Sequence, residues 1–200
     1  MKILIAYASN DSHGDTGLNI MVWPDSAMIR SRKPLFLPNE DVRLLPGFVA
    51  KISAVGKSIR HKFAGRYYQE LAPAAFVLDS RPARMITEHL DPPACDLASD
   101  FSIICGDFVD KESLLRDISA ASPWIEILKL GSGDCLLREQ LNFGDPAEGI
   151  DSAIVAASRR NTLKTGDLAG FVSDLAFSVS PDSLLRVGVG DKILIENKLK

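Results

Sequence analysis

The stretch that most constrains the fold of this 200-residue chain is residues 42–52, VRLLPGFVAKI. Its second half, Phe48–Ile52, is rich in apolar and β-branched residues, and the turn-forming residues 54–57, AVGK, follow it. A short apolar run that ends in a turn predicts a buried strand. The rest of the chain has to pack around this strand.

Composition limits the class of protein. Hydrophobic residues make up 46% and charged residues 24% of the chain, which is typical of a globular protein and not of a disordered one. At this length we expect one domain that spans residues 1–200. The net charge of −3 is dispersed along the sequence, so neither nucleic acid nor an anionic membrane is an expected partner.

Cysteine usage and the apolar runs predict a cytoplasmic protein. Three cysteines, Cys95, Cys105 and Cys135, are too few and too irregularly spaced for a disulfide framework or a zinc site, so we expect reduced thiols. The apolar run at the N-terminus is too short for a signal peptide, and no run is long enough to span a bilayer.

Periodicity and capping signals predict the other elements. A Ser80 cap starts a helix that stops before Pro92, with Met85, Ile86 and Leu90 as its apolar stripe, and an Asp110 cap starts a second helix. The clearest helix is 150–160, and the segment 58–70 predicts one or two short helical turns. The other predicted strands are Lys2–Tyr7, Phe101–Cys105, Trp124–Leu130 and Ile193–Leu199.

Several short motifs together resemble one known family. They are residues 24–27 (PDSA), 56–59 (GKSI), 62–64 (KFA), 66–70 (RYYQE) and 163–168 (LKTGDL), with the Gly190-Asp191 turn near the end. In this order they resemble the fumarylacetoacetate hydrolase (FAH) family. The resemblance implies an α+β, mainly β fold, a mixed β-roll with short peripheral helices. It also implies a homodimer.

The resemblance places the family's metal site on the stretch 42–52. There the family carries His-x-Glu-x-Glu, whose glutamates hold Mg²⁺ or Mn²⁺, and this chain has Arg43, Leu45 and Gly47. A third carboxylate of the family falls on Phe76, although an alignment shifted by three residues would offer Asp79. Hard divalent cations need oxygen ligands, so we expect no metal at this position.

The family's substrate-contacting segments are altered as well. The histidine of the family's lid matches His13. The glutamate of that lid falls on the residue after Asp15, so His13 and Asp15 together are a candidate proton-transfer site. Trp23 stands in place of a lysine. The family's Thr-Gly-Thr-Pro step falls on residues 171–174, where Ser173 alone keeps a hydroxyl and Asp174 would repel an anionic substrate.

Three functions are compatible with this pattern. The first is a metal-free, non-catalytic protein that acts as a binding or partner subunit, its altered pocket formed by Arg43, Leu45, Gly47, Phe76 and Ser173. The second is an enzyme on small oxo-acids (a C–C hydrolase, decarboxylase or isomerase) that uses His13 with Asp15 or Asp79. The third is pairing with an intact relative. A pocket filled by Trp23, Phe76 and Phe171 would favour a structural role, and an open one lined by Arg43 would favour a small anion.

Overall fold

The fold is mainly β, with short helices around two sheets. A computed structural model describes residues 1–10, 16–37, 41–92, 100 and 102–200. Its helices are α1 (His61–Ala64), α2 (Ser80–Thr87), α3 (Lys111–Ala120) and α4 (Pro146–Arg160), with a 3₁₀ turn at Asp25–Ala27. Its strands are β1 (Ile3–Asn10), β2 (Thr16–Trp23), β3 (Met28–Arg30), β4 (Val42–Ile52), β5 (Tyr68–Asp79), β6 (Ile103–Cys105), β7 (Val109–Asp110), β8 (Pro123–Lys129), β9 (Cys135–Gln140), β10 (Leu168–Val172), β11 (Phe177–Val179), β12 (Ser183–Val189) and β13 (Lys192–Leu199).

The strands form one large and one small sheet. In the large sheet the order is β2-β1-β10-β4-β5-β6-β3, with β11 beside β4 and β7 beside β5. The pairs β1–β10 and β3–β6 are parallel and the other pairs are antiparallel, so the sheet is mixed. The small sheet has the order β13-β12-β8-β9 and is antiparallel. The expected α+β, mainly β fold is therefore confirmed.

The central strand β4 is longer than its apolar half predicted, and it contains Pro46. A proline has no N–H to donate to a sheet and is unusual in a central strand. Here it lies between the part of β4 that pairs with β11 and the part that pairs with β10. The missing donor therefore falls where β4 changes its neighbour, and the Pro46 carbonyl accepts a hydrogen bond from the Ser173 N–H at 2.8 Å.

Two predicted helices follow their sequence signals closely. Asp110 caps α3, its side chain accepting a hydrogen bond from the Ser113 N–H at 3.0 Å. The helix predicted at 150–160 begins four residues earlier, at Pro146, because the Asp145 side chain caps it through the Ala147 N–H. The predicted apolar face of α4 is fully buried: Ile150, Ala153, Ile154 and Ala157.

Two other predictions were right only in part. The helix predicted near Ser80 is present, but Ser80 is the first residue of α2 and not its cap, which is Asp79; the helix ends at Thr87, and Leu90 of the predicted stripe is exposed. Within the segment 58–70, His61–Ala64 forms one short helical turn, as predicted. The segment from Tyr68 onwards is instead the start of β5, because it pairs along the whole of β4.

Three apolar clusters hold these elements together. One lies between the large sheet and α2 and includes Leu45, Phe76 and Trp23. The second packs α4 on the sheet through Ile150 and Ile154, and the third joins the two sheets. Of the cysteines, Cys105 is buried, which raises the pKa of its thiol to about 12, and Cys135 is exposed; both are free. Across the described ranges no helix is long and apolar enough to cross a membrane.

Candidate functional site

The positions at which the resemblance places metal ligands face one another across the β4–β5 ladder. Leu45 pairs directly with Phe76, Gly47 pairs with Ala74, and Arg43 pairs with Leu78. Side chains alternate between the two faces of a strand, so Leu45, Phe76 and Ala74 all point into the same apolar cluster. The relative exposure of both Leu45 and Phe76 is 0%.

Trp23 completes this packed position. Its ring stacks on Phe76 with centroids 5.7 Å apart, and the side chain is 1% exposed. Trp23 therefore supplies the apolar bulk that its place in the sequence predicts. Its indole Nε1 is buried and has no hydrogen-bond partner within the part of the chain that the structure describes. A buried, unsatisfied donor costs about 1–3 kcal/mol, which the stacking and burial of the ring offset.

Gly47 has no room for a side chain. A Cβ added at this residue would overlap the carbonyl oxygen of Phe171 on the neighbouring β10 and would lie 3.0 Å from the Phe76 ring. The clash is with backbone, so it cannot be relieved by rotating a side chain. Glutamate at position 47 would require β10 to move away from β4.

These residues do not fit a divalent cation. Leu45 and Phe76 have no donor atom, Gly47 has no side chain, and Arg43 carries a positive charge, whereas Mg²⁺ and Mn²⁺ take oxygen ligands. Among the described residues no group of three or more His, Cys, Asp or Glu side chains is placed to hold a metal ion.

Asp79 does not take over the third ligand position. It is an odd number of residues from Phe76 along β5, so its side chain points to the opposite face of the sheet. It pairs with Val42 at the exposed end of the strand and serves as the cap residue of α2. The pairing register therefore keeps Phe76, and not Asp79, opposite Leu45.

Arg43 and Phe171 do not add to this filled position. Arg43 is on the same face of β4 as Leu45, but its Nε is 3.4 Å from the Ser80 hydroxyl at the start of α2. The Phe171 ring packs on the other face of the sheet, where its centroid is 6.1 Å from that of Phe48 and 6.1 Å from that of Phe143. The position is filled by Leu45, Phe76 and Trp23.

A separate cavity of about 240 Å³ lies next to this filled position. It sits at the carboxyl ends of the parallel strands β1 and β10, an edge of a sheet where ligands commonly bind. Ala8 of β1, Val172 of β10 and Ile86 of α2 form part of its wall. The other lining residues are His89, Asn142, Phe143, Phe171, Ser173 and Asp174.

The polar side of this cavity is formed by four side chains from three loops: His89, Asn142, Ser173 and Asp174. His89 Nε2 lies 3.9 Å from Asp174 Oδ2. The His89 backbone has a φ of +57°, and its carbonyl accepts a hydrogen bond from the Asn10 N–H at 2.8 Å, which ties the loop after α2 to β1. The Ser173 hydroxyl forms a local turn with Leu175, donating to its carbonyl and accepting from its N–H, both at 3.3 Å.

The residues named from sequence are thus only partly brought together. Leu45, Gly47 and Phe76 converge, Ser173 lines the cavity, and Arg43 does neither. His13 and Asp15 lie outside the described residues, so their pairing stays a prediction. Sequence reasoning missed Asn142 and Phe143, which come from the loop between β9 and α4. It also gave His89 no role in the site, since no motif places it beside Asp174.

Comparison with known proteins agrees with this geometry at the level of the fold. No protein-family model matches the sequence, and no curated protein matches it either. Solved structures do match. One is described as a fumarylacetoacetate hydrolase family protein from Yersinia pestis CO92. The two sequences are 16% identical, the match covers 100% of this chain and 92% of that protein, and the TM-score is 0.70.

Two further matches have named activities. Fumarylpyruvate hydrolase from Pseudomonas aeruginosa, in complex with Mn²⁺ and pyruvate, is 16% identical over 100% of this chain and 90% of its own, with a TM-score of 0.69. The 5-carboxymethyl-2-hydroxymuconate delta-isomerase from Mycobacterium smegmatis is 13% identical over 99% of this chain and 76% of its own, with a TM-score of 0.71. The chain therefore has the FAH-like fold, which hosts both hydrolases and isomerases.

Proposed function

We propose that this protein is a metal-free variant on the FAH-like fold that acts by binding, as a ligand-binding or partner subunit, and not by metal-dependent turnover. The observation that carries the proposal is the direct pairing of Leu45 with Phe76 in the ladder, where both side chains are fully buried. A divalent cation at this position would have to displace apolar side chains, and the side chains of Leu45, Gly47 and Phe76 offer no oxygen to replace its water ligands.

The packing around this pair supports the same proposal. Trp23 covers Phe76, and Gly47 lies against the backbone of β10. A vacated site would be expected to keep space or polar groups, whereas here large apolar side chains fill it. Filling an interior with well-packed apolar groups stabilises a fold, and it is compatible with a protein whose scaffold is retained for binding.

Isothermal titration of the purified protein with Mn²⁺ and with Mg²⁺ tests the proposal. We expect no stoichiometric heat with either ion up to millimolar concentration and no shift in thermal midpoint. The fumarylpyruvate hydrolase of Pseudomonas aeruginosa, solved in complex with Mn²⁺, is the positive control. Stoichiometric binding at micromolar affinity would overturn the proposal. If that binding were lost in Asp79→Asn, Asp79 would be a ligand after all.

The alternative is an enzyme on small oxo-acids with altered site residues. It is favoured by the neighbours of the same fold, which include a hydrolase solved with pyruvate and an isomerase. In this case turnover would depend on His13, with Asp15 as its orienting partner. Assays with acylpyruvates and oxaloacetate, without and with Mn²⁺, test it: activity that His13→Ala abolishes would support the enzyme, and its absence in the wild type would exclude these substrates.

The partner of the chain is part of the proposal. By resemblance we propose a homodimer, and pairing with an intact relative is the second arrangement. Light scattering after size-exclusion chromatography gives the mass of the purified assembly. A mass of twice 21.7 kDa from this chain alone supports the homodimer. Recovery of a second, metal-binding polypeptide in a fixed ratio from the native cell would support pairing instead.

A further inference from the structure

We propose that the cavity at the ends of β1 and β10 binds a small alkylammonium cation, and not the oxo-acid anions suggested by the structural neighbours. This inference rests on the proposed binding role. It names the class of ligand from the charge, shape and apolar lining of the cavity.

The charge around the cavity opposes an anion. Among the described residues its lining includes Asp174 and no lysine or arginine. A carboxylate ligand would thus meet the Asp174 carboxylate with no lysine or arginine beside it, and like charges in contact repel. The segments outside the described ranges, 11–15, 38–40, 93–99 and 101, contain neither lysine nor arginine.

The Asp174 carboxylate and the unprotonated form of His89 Nε2 are spaced for one shared donor. His89 Nε2 and Asp174 Oδ2 are 3.9 Å apart, too far for a direct hydrogen bond. A ligand nitrogen at about 2.8 Å from each atom fits this separation and would donate one N–H to each. An ammonium group has three donors and a positive charge, so it satisfies both acceptors and offsets the charge of Asp174.

Apart from Asn142 and Ser173, the remaining wall is apolar and suits a short hydrocarbon chain. Ile86 and Val172 are apolar, and the rings of Phe143 and Phe171 meet edge-to-face with centroids 6.1 Å apart. Aromatic faces also attract cations. The volume of about 240 Å³ is below the range of about 300–1,000 Å³ for drug-sized ligands, which limits the occupant to a few carbon atoms.

Titration with three probes of nearly equal shape separates charge from shape. They are 3-methylbutylammonium, 3-methylbutan-1-ol and 4-methylpentanoate, each followed by calorimetry and by amide chemical shifts. We expect the ammonium to bind at least about tenfold more tightly than the alcohol, with the largest shifts at His89, Ser173 and Asp174. The carboxylate should not bind. Equal binding of all three, or preference for the carboxylate or pyruvate, would overturn the assignment.

A matched pair of variants tests the contact with Asp174. Asp174→Asn removes the negative charge and keeps the shape, so ammonium affinity should fall about tenfold. Asp191→Asn removes the same charge from the β12–β13 turn, which does not line the cavity, and should leave the affinity unchanged. Equal effects of the two variants would show a general charge effect and would contradict the site.

Two further measurements identify the source of the cation and keep this test independent of the metal titrations. Tighter binding of Nα-acetyl-lysine methylamide than of the free amine would assign the cavity to a protein side chain and would overturn a small-molecule occupant. The metal titrations are a separate test. If the ammonium does not bind, the expected lack of a Mn²⁺ response still stands. If Mn²⁺ binds, the proposed function is rejected whatever the amines do.

Discussion

The filled position, on the paired strands β4 and β5, and the cavity, at the ends of β1 and β10, lie side by side but differ in packing. At the filled position Leu45, Phe76 and Trp23 are fully or almost fully buried. At the cavity Ser173 is half-buried and Asp174 is exposed. The first position is part of the core, whereas the second meets solvent and presents hydrogen-bonding groups. Substitutions at the filled position should therefore cost much more stability than substitutions at the cavity.

The largest expected effect is that of a carboxylate in the filled position. Leu45→Glu buries an unpaired charge and should lower the free energy of unfolding by more than about 4 kcal/mol. Leu45→Met keeps the volume and should cost less than about 1.5 kcal/mol. Urea denaturation measures both. A Leu45→Glu protein as stable as the wild type that also binds Mn²⁺ would show that the position is still a latent metal site.

Removing the aromatic ring next to it should have the second-largest effect. Phe76→Ala should destabilise the protein by about 3–5 kcal/mol, because the Trp23 ring that stacks on Phe76 cannot move in to fill the cavity left by the phenyl ring. Phe143→Ala at the partly exposed cavity wall is the comparison and should cost less than half as much. Equal losses in denaturation midpoints would mean that the two regions are packed alike.

Two substitutions at Trp23 distinguish the contribution of ring packing to stability from the cost of the buried N–H. Trp23→Ala should cost about 3–5 kcal/mol, whereas Trp23→Phe loses part of the ring but also removes the unpartnered indole donor. The second variant should therefore stay within about 1 kcal/mol of the wild type. A loss of several kcal/mol in Trp23→Phe would indicate that the indole N–H is bonded in solution. Thermal and urea unfolding of both variants provide the test.

The smallest effects are expected at the cavity rim. Asp174→Asn should change the free energy of unfolding by no more than about 0.5 kcal/mol, because the side chain is 64% exposed and His89 Nε2 is 3.9 Å away, beyond hydrogen-bond distance. So small a change in the free energy of unfolding would distinguish the cavity most clearly from the filled position. A change above about 1.5 kcal/mol would mean that Asp174 is part of the fold.

The sequence predicted more of the scaffold than of the site. Helix α4 and its buried face followed from apolar spacing, and Asp110 capped α3 because a cap is a local interaction. Tyr68 was misassigned because its strand is formed by pairing with β4, which local pattern does not encode. The substitutions at Leu45 and Phe76 could be read as lost ligands from the resemblance, and the ladder then showed that they face each other.

The rest of the site depends on contacts between distant parts of the chain. His89 and Asp174 are 85 residues apart in the sequence, and they meet because α2 and the end of β10 lie at the same edge of the sheet. Asn142 and Phe143 reach the cavity from a third segment. Neither spacing nor composition links these segments, so no single-sequence motif could have assembled the cavity. Phe171 was misplaced for a similar reason, since only the sheet decides which face its ring occupies.

Gly47 has a consequence for the redesign of this scaffold. Because any side chain there would overlap the Phe171 backbone, a two-glutamate strand would need displacement of β10 together with changes at Leu45 and Phe76. Grafting a metal centre onto β4 is therefore a problem of backbone design, whereas the rim of the cavity can be altered by exchanging side chains alone.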